Sequence, residues 1–258
     1  MTDRAIVESH ELNALETSLE RRFRVAETRV DVGRRSFVIR HPASAEELIS
    51  EEDFERDERL PYWADIWPSA RVLAGRILEG RGAGRPLIEL GCGAGLVSCA
   101  AAVAGFDVVA SDYYEDALRF ARVNAHRVSG RDIATRLLDW RALPDDSTRY
   151  DCVVASDVLY ERTYGPLVAA ALGRLMAPTG FALIADPGRV SRDDFLRALD
   201  PLGLAVTRRD DVLYEEGAIR QTIALIRVER ITSDDALFTD PRVHLSTRIQ
   251  TPGDRSAR

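Results

Sequence analysis

Four short stretches of this chain hold residue types that could grip a small polar ligand. The first, Glu89-Leu90-Gly91-Cys92-Gly93-Ala94-Gly95-Leu96, spaces three glycines at alternate positions. Such glycines let the backbone turn sharply and let a ligand lie against the main chain. The spacing G-x-G-x-G, with Leu96 where a dinucleotide motif has its third glycine, favours S-adenosylmethionine over a nicotinamide. A bare strand-to-helix turn could carry the same glycines. The second stretch, Ser111-Asp112-Tyr113, puts a carboxylate about 20 residues beyond Gly91, where it can take ribose hydroxyls. The third, Leu138-Asp139-Trp140, offers a carboxylate for an adenine amine and an indole wall. The fourth, Ser156-Asp157-Val158-Leu159-Tyr160, sets an acid and a phenol three residues apart.

These stretches need a scaffold that brings them together. From Ser69 the hydrophobic pattern alternates between helix and strand. Strands are expected at Leu87–Leu90, Asp107–Ser111, Ile133–Leu138, Cys152–Ala155, Phe181–Ala185, Ala205–Arg209 and Thr222–Arg227. Helices are expected at Ser69–Glu79, Leu96–Val103, Glu115–Val128, Gly165–Leu175 and Arg192–Leu199. Such alternation predicts a doubly wound, Rossmann-like α/β fold: a seven-stranded sheet, mostly parallel and covered on both faces. The last two strands lack a helix between them, so a hairpin through Tyr214 to Ala218 would make the final strand antiparallel. In such a sheet, ligands sit beyond the carboxyl ends of the strands. All four stretches fall at strand ends, in order.

Three segments follow from the same pattern. Residues 1–60 form a small N-terminal α/β extension with a helix at Glu11–Phe23, a hairpin at Arg29–Val32 and Ser36–Arg40, and an acidic amphipathic helix or lid at Glu46–Glu58. Residues 61–230 form the main domain, and 231–258 a polar tail.

Residues from about 60 to 228 resemble the seven-β-strand, class I S-adenosylmethionine-dependent methyltransferases. More narrowly, they resemble the protein-lysine methyltransferases with an Asp/Glu-x-x-Phe/Tyr motif after the fourth strand, here Asp157-Val158-Leu159-Tyr160. The segment Pro61-Tyr62-Trp63-Ala64-Asp65-Ile66-Trp67-Pro68-Ser69-Ala70 resembles that group's Trp-containing segment. Asp186-Pro187-Gly188-Arg189 resembles bacterial members of the broader family. The resemblance implies S-adenosyl-L-methionine as cofactor, bound by Trp67, Glu89, Gly91, Cys92, Gly93, Gly95, Asp112, Tyr113, Asp139, Trp140 and Ser156, with Asp157 and Tyr160 as catalytic residues. It implies a protein substrate with a target lysine, or a small amine in its place.

Composition excludes other chemistry. The chain of 258 residues has no lysine, and its 35 basic residues are all Arg. Codon bias in a GC-rich genome is the bland reading of that, ahead of the sharper one that a lysine methylator avoids modifying itself. A Walker P-loop, a Schiff-base lysine and a Tyr/Lys dehydrogenase pair are therefore absent. A net charge of −7 offers no general basic field for nucleic acid. No apolar run is long enough for a membrane span. Cys92, Cys99 and Cys152 lack metal-ligand spacing and read as free thiols of a cytoplasmic protein.

Methyl transfer from a sulfonium is an in-line displacement that needs alignment and dryness. An amine acceptor must be neutral, and a nearby carboxylate raises its pKa instead of lowering it. Asp157 is therefore expected to position the amine, with Tyr160 and Trp67 turning ring faces to positive charge. A small-molecule N- or O-methyltransferase and a non-catalytic cofactor-binding module remain the alternatives; neither acceptor nor oligomeric state is legible here.

Overall fold

The computed structural model describes residues 3–45, 48 and 61–231. The expected acidic lid lies outside these residues except at Leu48, as does the tail from 232. A long helix α1 (Asp3–Arg22) leads into a hairpin of β1 (Val25–Val32) and β2 (Arg35–Pro42). The helix starts eight residues earlier than its apolar spacing suggested.

The main domain follows as α2 (Pro68–Leu78), β3 (Pro86–Leu90), α3 (Leu96–Val103), β4 (Asp107–Asp112), α4 (Glu115–Ser129), β5 (Ala134–Leu137) and β6 (Tyr150–Ser156). It ends with α5 (Tyr164–Leu175), β7 (Met176–Asp186), α6 (Arg192–Leu199), β8 (Leu204–Glu216) and β9 (Ile219–Arg230). The seven-stranded sheet has the order β5-β4-β3-β6-β7-β9-β8, with β9 antiparallel to both neighbours and the other pairs parallel. The expected hairpin is present but longer: strand pairing runs through Tyr214 to Glu216, and the chain turns at Gly217.

Successive strand residues point into opposite cores, as the pleat requires. Leu87, Cys152 and Val154 join the core under α2, α3 and α4, while Ile88, Val153 and Ala155 join the core under α5 and α6. Helix α3 is rich in Ala, and all but its last residue are buried. Small side chains let it lie close to the sheet between α2 and α4. Helix α4 has Glu115 and Asp116 in its first turn and His126 and Arg127 in its last, complementing its dipole, and Gly130 closes it in a left-handed conformation. Hairpin residues Val30, Val32, Phe37 and Ile39 extend the first core. Buried Asn124 links these layers: its amide donates to the carbonyls of Arg40 (2.7 Å) and Ala94 (2.8 Å), and its oxygen accepts from the Arg40 amide (2.9 Å).

Candidate active site

The chain runs outward from β3 to β4 to β5, then returns to place β6 on the other side of β3. This reversal opens a crevice at the carboxyl ends of β3 and β6. Leu90 is level with Ser111 on one side and Ala155 on the other, so the three strand ends release their loops side by side. One cavity runs across them.

The glycine loop forms its floor. At Gly93 (φ +51°), a Cβ would sit 2.9 Å from the Trp63 carbonyl oxygen, so a side chain has no room. Gly95 (φ +85°) precedes α3, and a Cβ there would lie 2.6 Å from Ala121 Cα in α4. The loop thus approaches both neighbours at backbone distance. Asp112 ends β4 and faces it: Oδ2 accepts from the Gly93 amide (2.9 Å), and Oδ1 accepts from the Tyr114 amide (3.0 Å). Tyr114, not Asp112, is the N-cap of α4. Burial pushes the Asp112 pKa above the ordinary range, and these backbone donors oppose that. Each oxygen keeps lone-pair capacity for a further donor.

Glu89 does not line the cavity. It is buried behind the loop, where its carboxyl accepts from Ser98 Oγ (2.5 Å) in α3. Burial raises its pKa to about 8, so it is protonated near neutrality. Cys92 does line the cavity, but burial holds its thiol well above the ordinary range, as an unreactive neutral group.

On the β4–β5 side, Tyr113 and Trp140 both line the cavity. A Cβ on Gly91 would come within 3.5 Å of the Trp140 ring, so the indole is seated on bare backbone. Asp139 caps the short turn Trp140–Ala142 by accepting from the Arg141 amide (2.9 Å), and its carboxylate pairs with the Arg141 guanidinium (2.9 Å). Arg141 in turn lies 5.3 Å from the Tyr113 ring centroid.

The β6 end is different. Ser156 closes the strand, and Asp157 follows in a left-handed conformation (φ +59°). For a non-glycine residue this costs on the order of 1–2 kcal/mol. Asp157 Oδ1 pairs with Arg189 Nε (2.5 Å) from the loop after β7, whereas Oδ2 is buried with no hydrogen-bond partner among the described residues. A chain of rings runs beside it: Trp67 to Tyr62 (6.0 Å), Tyr62 to Tyr160 (5.3 Å), Tyr160 to Tyr164 (5.2 Å) and Tyr164 to Trp140 (5.5 Å), all edge-on. The Trp67 indole nitrogen donates to the Tyr62 carbonyl (3.0 Å), which fixes the ring on the cavity wall.

Trp67, Gly91, Cys92, Gly93, Gly95, Asp112, Tyr113, Asp139, Trp140, Ser156, Asp157 and Tyr160 thus meet around one cavity. Sequence reading assigned no role to Tyr62, Tyr164, Asp65 or Glu161, which line it too, nor to Arg189 behind it. Tyr62 and Asp65 stand in the segment already singled out by its tryptophans. No local signal links Arg189 to an acid 32 residues away.

The model of the lysine methyltransferase family matches residues 53–200, more than half of the chain. The chain belongs to this family. The match takes in the glycine loop, Asp112, the Asp157–Tyr160 motif and Arg189. As a member of the lysine methyltransferase family, it is similar to protein N-lysine methyltransferase METTL21A of Xenopus tropicalis, with 30% identity over 151 residues, 55% of this chain and 69% of the relative. It is also similar to a ubiquinone biosynthesis O-methyltransferase of Methylococcus capsulatus, with 35% identity over 99 residues, 38% of this chain and 41% of that protein. Among solved structures, magnesium protoporphyrin IX methyltransferase from Synechocystis, with bound SAM, matches 71% of this chain and 94% of its own at a TM-score of 0.53 and 20% identity. At that identity the likeness shows the fold.

Proposed function

We propose that this methyltransferase uses S-adenosylmethionine to N-methylate a lysine side chain of a protein substrate in the cytoplasm. The observation that carries the reading is the Asp157 carboxylate, at the end of β6, with one unpartnered buried oxygen beside a ring-walled cavity. The residues present fit the cofactor. The floor at Gly93 leaves no room for a Cβ, and a buried Asp112 faces it with acceptor capacity to spare. Gly91, Gly93 and Asp112 would hold the amino acid and ribose parts, with Tyr113 and Trp140 beside the adenine. When bound, the cofactor supplies a methyl group on a sulfonium centre.

The chain's own residues supply alignment. Asp157 accepts a hydrogen bond from the acceptor nitrogen and points its lone pair along the strand-end crevice. Tyr62, Tyr160 and Trp67 exclude water and would offer ring faces to the sulfonium, each worth about 0.5–2 kcal/mol. Free lysine has a pKa of roughly 10.4, so the acceptor must shed a proton before attack. Three buried, unpaired cysteines support a cytoplasmic location.

The second reading, transfer to a small molecule, is favoured by the O-methyltransferase among the relatives, which matches only 38% of this chain. One experiment separates the two. The protein is incubated with radiolabelled S-adenosylmethionine and a lysate of its source organism lacking this gene. A discrete labelled protein band that yields methyllysine on hydrolysis supports the lysine reading. Label confined to the small-molecule fraction overturns it.

A further inference from the structure

Asp157 does not stand alone, and the partner it has changes what it can bind. The loop after β7 is built to deliver a guanidinium to it. Asp186 Oδ2 accepts from the amides of Gly188 (2.8 Å) and Arg189 (3.2 Å), bending the chain back on itself, and Gly188 takes the left-handed conformation the bend needs (φ +98°). The loop is then fastened to the β6–α5 connection. The Ser191 amide donates to the Leu159 carbonyl (3.1 Å); Ser191 Oγ donates to the Arg162 carbonyl (2.9 Å) and accepts from the Gly165 amide (2.8 Å). Ser191 is wholly buried. Arg189 is thereby held with Nε on Asp157 Oδ1 and with its guanidinium carbon 5.2 Å from the Trp67 ring centroid.

We infer that Arg189 determines which charge form of an acceptor the site takes. An unpaired buried carboxylate would grip an ammonium and hold it in its unreactive, protonated form. A guanidinium is charged at every accessible pH. Paired to Oδ1, it makes Asp157 one half of a neutral pair and leaves Oδ2 as a plain hydrogen-bond acceptor. The site therefore selects an uncharged nitrogen nucleophile and binds a lasting cation poorly. Asp65 and Glu161 stand on the cavity wall and Asp186 with Arg192 lies behind the loop, and all four are kept in every variant compared. A difference between variants thus reports the Asp157–Arg189 pair. The inference rests on the amine-methylation reading.

The test uses the full chain saturated with S-adenosylhomocysteine and titrated calorimetrically with n-butylammonium near pH 7.5, a pH at which that probe is a cation. Arg189→Met and Arg189→Gln should bind it at least tenfold more tightly than wild type, and Arg189→Lys should stay near wild type. Adding Asp157→Asn to Arg189→Gln should return binding to the weak level. Equal or weaker binding by both neutral variants overturns the inference, because a merely structural Arg189 cannot strengthen cation binding when removed. The lysate labelling above is run on wild type in parallel. If it yields no methyllysine, the amine reading fails, while the n-butylammonium comparison, read without turnover, still scores the charge control by Arg189.

Discussion

The two ends of the cavity are built by different means. At the glycine-loop end, main chain meets main chain: Gly93 lies against the Trp63 carbonyl, Gly95 against α4, and Asp112 is held by two backbone amides. At the β6 end, a non-glycine residue sits in a left-handed conformation, and a side-chain ion pair and edge-on rings do the positioning. The first arrangement provides fixed shape and fixed donors suited to one constant ligand. The second is made of replaceable side chains, so under the proposed function acceptor choice would vary without disturbing the cofactor end.

That division makes graded predictions. The largest effect belongs to Gly93→Val, which forces a branched side chain into a carbonyl 2.9 Å away at a positive φ. It should abolish S-adenosylmethionine binding by calorimetry while circular dichroism shows a folded protein; normal binding would make the loop a simple turn. Next comes Asp112→Ala. Charge-assisted hydrogen bonds are worth roughly 1.5–3 kcal/mol each, so cofactor affinity should fall by about 100-fold or more. An unchanged dissociation constant would remove Asp112 from the cofactor site.

Asp157→Ala tests the other end. Turnover should drop on the order of 100-fold, with cofactor affinity within a few fold of wild type. Asp157→Asn should retain more activity than Ala, because the amide oxygen can still accept a hydrogen bond. A variant whose only defect is lost cofactor binding would erase the contrast and make the cavity a single unit.

The smallest effect is a pH slope. Glu89 has its pKa raised by burial from the ordinary value of 4.5 to about 8. Between these values the folded protein keeps a proton that the unfolded chain has released. Stability is therefore fullest below 4.5 and falls as pH rises towards 8, by at most about 1.4 kcal/mol per pH unit. Glu89→Gln stays uncharged, so its melting temperature should decline less than that of wild type between about pH 5 and 8. A parallel decline would show that Glu89 does not carry the slope; Asp112 and Asp186, raised in the same direction, would then account for it.

Sequence by itself determined the sheet and one end of the site. Helices Leu96–Val103 and Arg192–Leu199 have the boundaries their patterns imply, and each strand core falls within or beside an observed strand. Periodicity encodes burial directly, and a glycine loop encodes its own turn, so both are legible over a few residues. The Asp157–Tyr160 motif was legible as a pair of functional types at a strand end. Tertiary structure alone decided what that pair faces. Glu89 reads as part of the glycine motif, yet the pleat turns its side chain to Ser98 and away from the cavity. Arg189 is legible only as the end of the Asp186–Arg189 stretch, with no role attached, yet the Asp186 turn and the Ser191 staple carry it back to Asp157. Contacts of this kind join residues distant along the chain, and no local spacing specifies them; they exist because β6 and β7 are neighbours in the sheet and release their loops at the same edge.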